Sequence, residues 1–309
     1  MSLYSKGDTL ELAVELVGLR KNYGDHVVLD GIDLSVPRGE IVSMLGPNGA
    51  GKTTTLEIIE GQRRASGGRV RTLGLDPFSR AEFKQLRRRI GVALQTSSFE
   101  PKLSVEDMVG RQASYYATVL DIEPLVDALS LGEYWKRPVG LLSEGTKQRL
   151  NVLLALVGNP ELVLLDEPTA GLDPVSRSAV MQLIESLPVH GMTVILSSHL
   201  LEEVQDLATK VIVLNGGRIR ATGSPRSLLE GATVPTKIEF LAAGNVRELP
   251  AGAEIEADRV RYSTLDPDAL LRAIRAWENE HSNALTHLTV IRPTLNDAYV
   301  ELIGQDASK

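Results

Sequence analysis

The sequence predicts an α/β fold with a small α+β domain at its C-terminal end, and three observations lead there. Between Glu11 and about Gly223, short apolar runs alternate with helical patterns. The runs "GVALQ", "ELVLLD" and "TVILSS" lack polar alternation, as expected for parallel strands covered on both faces. The segment Gly46 to Thr55, "GPNGAGKTTT", places a glycine-rich turn between an apolar run and a helix.

Composition sets the limits. The chain has 309 residues, of which 43% are hydrophobic, enough for one large core and a smaller second one. A soluble, folded protein is expected. The formal net charge of -7 gives no global basic field, so nucleic acid is not an expected partner. Cysteine is absent, which excludes disulfides, thiolate metal sites and a cysteine nucleophile, and fits a reducing compartment. The first ten residues, "MSLYSKGDTL", lack an apolar segment of secretory type and read as a tail. Apolar runs such as "LNVLLALVG" reach about half of the roughly 20 residues needed to span a bilayer. Any membrane role therefore requires another chain.

Each element follows from its local pattern. "LAVELVGL", "VVLDGIDLSV" and "EIVSML" are expected as strands near the start. From Gln95 to Gly158, "SVEDMVGRQASYYATVL", "EPLVDALSL" and "EGTKQRLNVLLALVG" are helical with no strand among them, predicting an inserted helical block at about 96–158. Ser143 is placed to cap the third helix, and Asn159-Pro160 to stop it. The basic run "KQLRRR", Lys84 to Arg89, has no interleaved aromatics and is expected as a solvated helix face. After "GSPRSLLEG" the rhythm changes. Strands "TKIEFL" and "RVRYST", helix "DPDALLRAIRAWENEH", strand "LTHLTVI" and helix "TLNDAYVELIG" predict a separate domain over 226–309, behind a main domain over 11–225.

The chemistry begins in the glycine-rich turn. Its spacing, G-x-x-x-x-G-K-T, is that of a Walker A loop, where backbone N–H groups converge on phosphate at a helix N-terminus. Gly46, Gly49 and Gly51 let the backbone approach, Lys52 reaches the β- and γ-phosphates, and the Thr53 hydroxyl can bind Mg²⁺. "LVLLDE" adds Asp166 at the carboxyl end of a buried strand, where it can hold Mg²⁺ or its water. Glu167 then stands where it can orient or deprotonate an attacking water.

With "LLSEGTKQRL" the chain resembles the ATP-binding subunit of an ABC transporter, whose signature reads LSGGQ followed by basic residues. Leu142, Ser143, Gly145, Gln148 and Arg149 match it. The resemblance covers about the first 225 residues and keeps the family's order: Tyr23 as adenine-stacking aromatic, the Walker A loop, Gln95 in the Q-loop, the signature, Asp173 in the D-loop of "LLDEPTAGLDP", and His199 as the switch histidine of "LSSHLLEE". It implies a P-loop NTPase cassette with a RecA-like core, an antiparallel β subdomain and an inserted helical subdomain. It implies ATP and Mg²⁺ as ligands. Pro47, Asn48, Ala50 and Thr54 would join Gly46, Gly49, Gly51, Lys52 and Thr53 around the nucleotide, and Gln95 would join Thr53 and Asp166 at the metal.

By the same resemblance, two cassettes pair head to tail as a homodimer. Ser143, Gly145 and Gln148 of one would face the nucleotide of the other, and hydrolysis by Glu167, with His199 and Gln95, would let the halves part. A separately encoded membrane-spanning permease, at the cytoplasmic face of the cell membrane, is the implied partner, and cargo contacts are expected to lie in it. Two positions depart from the signature: Glu144 stands where glycine is common and Thr146 where glutamine is usual. A carboxylate aimed at a triphosphate is repelled, so Glu144 is expected to point away. The ending "RPTLNDAYVELIG" looks like that of drug, antibiotic and polysaccharide exporter cassettes, which favours export. An importer cassette, or a soluble ABC-type ATPase outside transport, is the alternative.

Overall fold

The computed structural model describes residues 11–94, 99–242, 249–256, 259–281 and 285–304. The tail and Gln95 lie outside the described residues. The chain divides between Pro225 and Arg226 into two compact units.

The first unit opens with two long strands, β1 (Leu12–Tyr23) and β2 (His26–Pro37), followed by the short buried β3 (Ile41–Leu45) and helix α1 (Lys52–Ile59). Next come β4 (Gly67–Thr72), α2 (Arg80–Leu86) and β5 (Ile90–Ala93). The segment between Phe99 and Gly158 holds α3 (Val105–Ala113), α4 (Glu123–Ala128) and α5 (Glu144–Leu156), with no strand among its described residues. Then β6 (Leu162–Asp166), α6 (Pro174–Ser186), β7 (Thr193–Ser197), α7 (Leu201–Leu207), β8 (Lys210–Asn215) and β9 (Arg218–Gly223) complete the unit.

These strands form two sheets. An antiparallel sheet has the order β2-β1-β4, and a six-stranded sheet the order β5-β6-β7-β3-β8-β9, parallel except for β9. Alternation along β6 assigns each side chain to a layer. Val163 and Leu165 join the apolar cluster that holds Val109 of α3 and Leu150 and Leu153 of α5, while Leu162 and Leu164 join the cluster containing Leu56 and Ile59 of α1. Asp166, two residues after Leu164, therefore belongs to the face on which α1 packs.

Two expectations are corrected. The helix begun by "SVEDMVGRQA" has a capping box at Ser104 but ends at Ala113, well short of Leu120. The ring of Tyr116 instead lies against Gly158, where a side-chain β-carbon would stand 2.3 Å from it. The run Lys84 to Arg89 is not one solvated face either, because α2 stops at Leu86 and Arg89 turns onto Glu161, its Nε 2.5 Å from Oε1.

Around the second unit's start lies α8 (Pro225–Gly231); then come β10 (Thr236–Ala242), β11 (Glu254–Glu256), β12 (Arg259–Thr264), α9 (Pro267–His281), β13 (Leu285–Ile291) and α10 (Leu295–Gly304). Its antiparallel sheet has the order β11-β12-β10-β13. Ile274 and Trp277 of α9 pack on Ile238, Phe240, Val260 and Tyr262, which gives the unit its own core. Among the described residues no helix is long and apolar enough to cross a membrane.

Candidate functional site

Parallel pairing of β3, β7 and β6 brings their carboxyl ends together, and the loops leaving them build the site. After β3 the backbone turns through Gly46, where a β-carbon would lie 2.4 Å from the Leu214 carbonyl oxygen, and through Gly51, whose φ of 103° suits glycine. The turn delivers Lys52 at the start of α1. Lys52 is 6% exposed, and its ammonium donates to the carbonyls of Gly46 at 2.6 Å and Pro47 at 3.2 Å. Burial draws its pKa down, against the opposing pull of the Glu167 and Asp166 carboxylates. Pro47, Asn48 and Gly49 are exposed, Ala50 is buried, and Thr54 is half-buried.

Asp166 is buried at the end of β6 and uses both carboxylate oxygens. Thr53 Oγ1 donates to Oδ2 at 2.7 Å, and Ser197 Oγ donates to Oδ1. Ser197, the last residue of β7, also receives the Glu167 N–H on its Oγ at 3.0 Å and on its carbonyl at 3.2 Å. Glu167 has φ of 50°, a left-handed backbone that a non-glycine residue adopts at a cost of roughly 1–2 kcal/mol. Its carboxylate Oε2 lies 3.3 Å from Nδ1 of His199, just past β7. Lys52, Thr53, Asp166, Glu167 and His199 thus come from three chain segments to one place. Ser197 was missed by the sequence reading; its only signal was its position before the histidine in "LSSH".

The donor set suits a hard divalent cation. Thr53 and Asp166 offer oxygen atoms, and among the described residues no three acidic or histidine side chains are grouped so as to hold a metal ion by themselves. An ion held there would need phosphate oxygens and water to complete its ligands, which is the preference of Mg²⁺.

The remaining described residues come from α5, the start of α6 and the end of β1. Ser143 caps α5, its Oγ accepting the Thr146 N–H at 3.2 Å. Thr146 is buried, its Oγ1 is 2.8 Å from Ser143 Oγ, and it accepts from Arg149 Nη2 at 3.3 Å. Thr146 Oγ1 thus joins the cap hydroxyl of Ser143 to the Arg149 guanidinium, and either hydroxyl can be the donor between them. The Glu144 side chain is 88% exposed and pairs with Lys147 at 2.7 Å. Gly145 is half-buried, and a β-carbon on it would meet Leu172 at 3.3 Å.

Gln148 Nε2 donates to the Glu167 carbonyl of the same chain at 3.1 Å. Asp173 caps α6 by accepting from the N–H groups of Val175 and Ser176, both at 3.0 Å. Tyr23 ends β1 at the turn into β2 and is 43% exposed, with Lys21 Nζ 4.9 Å and the Arg63 guanidinium 5.3 Å from its ring centre.

Comparison with known proteins agrees with this geometry. The family described as "ABC transporter" matches residues 29–170. The chain is 30% identical to a Nod factor export ATP-binding protein I of Rhizobium johnstonii, covering 98% of both chains. It is 32% identical to the protein of that name from Cupriavidus pinatubonensis, covering 96% of this chain and 92% of the other. Among solved structures it resembles an ATP-binding subunit of an ABC transporter, with TM-score 0.66 and 26% identity over 71% of this chain and 92% of that one. It also resembles a dimeric ATP-binding cassette in a post-hydrolysis state bound to ADP and Pi, with TM-score 0.62 and 26% identity over 68% of this chain and 98% of that one.

Proposed function

The chain belongs to the ATP-binding proteins of the ABC transporter family and is an ATPase, and from that premise we propose that it powers an exporter through residues Lys52, Thr53, Asp166, Glu167 and His199. The observation that carries this is the contact of Thr53 with Asp166 at 2.7 Å beside the pairing of Glu167 with His199 at 3.3 Å. One pair is built to hold a metal-bound nucleotide, and the other to handle water next to it.

The residues divide the work. Backbone N–H groups from Gly49 to Thr54 cradle the phosphates, and Lys52 exchanges its carbonyl partners for phosphate oxygens. Thr53 and Asp166 would hold Mg²⁺, with Gln95 as the further ligand that the family resemblance implies, and the ion would neutralise phosphate charge when bound. Glu167 accepts a proton from water as the water oxygen bonds to the γ-phosphorus; the bond from that phosphorus to the ADP oxygen breaks, and ADP and phosphate leave. His199 holds the Glu167 carboxylate and the γ-phosphate in register, and Tyr23 stacks on adenine.

Ser143 and Gly145 face the γ-phosphate bound by a second copy, so pairing of two cassettes depends on that phosphate. The relatives named for Nod factor export match over nearly the whole chain, including the second unit, and this favours export. A cleft of about 590 Å³ opens between α2, β5 and α3, lined by Glu60, Arg87, Arg88, Tyr115 and Tyr116 among others. It offers a surface to a separately encoded permease and would place the cassette at the cytoplasmic face of the membrane.

The test is direct. Lys52→Ala should weaken ATP binding roughly tenfold to a hundredfold in calorimetry, the loss of a charge-assisted contact. The parent should co-purify with a multi-spanning membrane protein encoded beside it, and ATP hydrolysis by that complex should drive efflux from cells. Unchanged ATP binding in Lys52→Ala would overturn the site assignment, and hydrolysis coupled to uptake would overturn export.

A further inference from the structure

The carbonyl that Gln148 grips belongs to a residue in a costly backbone conformation. Glu167 carries φ of 50° immediately after β6, and three residues hold its backbone there. Ser197 takes its N–H, while the Ala170 N–H, from the same turn, and Gln148 Nε2, from α5, both donate to its carbonyl oxygen at 3.1 Å. A left-handed non-glycine residue persists only where its surroundings over-determine it. The backbone conformation aims the side chain, so its restraints also fix where Oε2 stands relative to His199 Nδ1.

The Gln148 amide is not needed to cap α5, since Ser143 supplies the cap. Its neighbours on the helix have other duties: Lys147 pairs with Glu144, and Arg149 binds the carbonyls of Leu129 and Ser130 at 2.6 and 3.1 Å. Gln148 alone among these three reaches across to the loop after β6. We propose that Gln148 is a positioning residue for hydrolysis, its side-chain amide holding the Glu167 backbone so that the carboxylate points at the attacking water. This rests on the proposed role of Glu167. Gln148 lies five positions after Ser143, a rise of about 7.5 Å along one helix. The helix whose N-terminus would meet the second copy's nucleotide therefore touches, further along, the backbone of this chain's own hydrolytic carboxylate.

The test uses Gln148→Met, which keeps length and bulk but removes the N–H donors. Loss of one hydrogen bond that orients a reacting group predicts a fall in kcat of about tenfold, with KM for ATP within about twofold and Tm unchanged. In the Glu167→Gln background, Gln148→Met should lower the residual rate no further, and ATP-dependent dimerisation should match that of Glu167→Gln alone. A parent-like kcat in Gln148→Met, or a further fall of the same size without the Glu167 carboxylate, overturns the proposal. Should Glu167→Gln itself turn over ATP like the parent, the failure lies in the assignment of Glu167, a distinct outcome that removes the proposal's foundation.

Discussion

Nδ1 of His199 lies 3.3 Å from Oε2 of Glu167, each residue placed just beyond the end of one of two paired parallel strands. The β6–β7 register, with Asp166 opposite Ser197, sets this meeting and not chain proximity, since 32 positions separate the two (199 minus 167). Glu167→Gln is expected to slow ATP turnover at least about a hundredfold, the usual size of general-base catalysis, while retaining binding and accumulating an ATP-bound dimer. His199→Ala should lower kcat in the same direction. Phosphate-release kinetics and size-exclusion chromatography check both, and a parent-like rate in Glu167→Gln refutes its role.

Glu161 is predicted to be an acid-sensitive strut. Arg89 first, with Arg38, holds its carboxyl down at about 2, through contacts of 2.5 and 2.8 Å from Arg89 and 2.6 Å from Arg38. A depressed folded-state pKa gives stability that is present above the unfolded value near 4.5 and is lost as pH falls toward 2. The side chain is 37% exposed, so solvent screening limits the pair's worth to about 1 kcal/mol. Glu161→Gln should therefore lower stability at pH 7 by about that much and flatten the acid limb in denaturant melts at pH 2 to 5.

Glu60 should act in the opposite direction. Burial, and then the neighbouring Glu57, push its carboxyl up to about 7, and its Oε1 is buried without a hydrogen-bond partner. Arg80, Lys84, Arg87 and Arg88 line the same cleft. A raised carboxyl pKa means the folded state binds the proton more tightly, so stability falls as pH rises from about 4.5 to about 7 and then levels off. Glu60→Gln is expected to remove that slope and to stabilise the protein at pH 8 by about 1–3 kcal/mol, measurable by chemical denaturation.

The signature departure at Glu144 should matter little to catalysis. Its carboxylate is exposed and paired with Lys147, so Glu144→Gly is expected to leave the ATPase rate within about twofold and to cost about 1 kcal/mol of stability from glycine in the first turn of α5. A sharp loss of ATPase would place Glu144 against the nucleotide instead.

Local rules carried much of this protein. The buried strands were legible because unbroken apolar runs bounded by turn residues leave few alternatives, and the Ser143 cap because a hydroxyl before a helix satisfies its free N–H groups. The early end of α3 was not legible, since Ser114, Tyr115 and Tyr116 are compatible with helix and only the fit of the Tyr116 ring against Gly158 decides. The same holds for Arg89, whose partner Glu161 lies 72 positions away.

What the sequence by itself determined was the inventory: a phosphate loop of fixed spacing, carboxylates at a strand end, a capped signature helix and a second small domain. These depend on steric and hydrogen-bonding preferences within a few residues, which one chain segment can satisfy alone. Tertiary structure decided orientation. That Gln148 grips its own Glu167, that Ser197 joins Asp166 to the Glu167 backbone, and that Thr146 links Ser143 to Arg149 follow from how sheet and helices pack, because a hydrogen bond requires atoms placed to within a few tenths of an ångström.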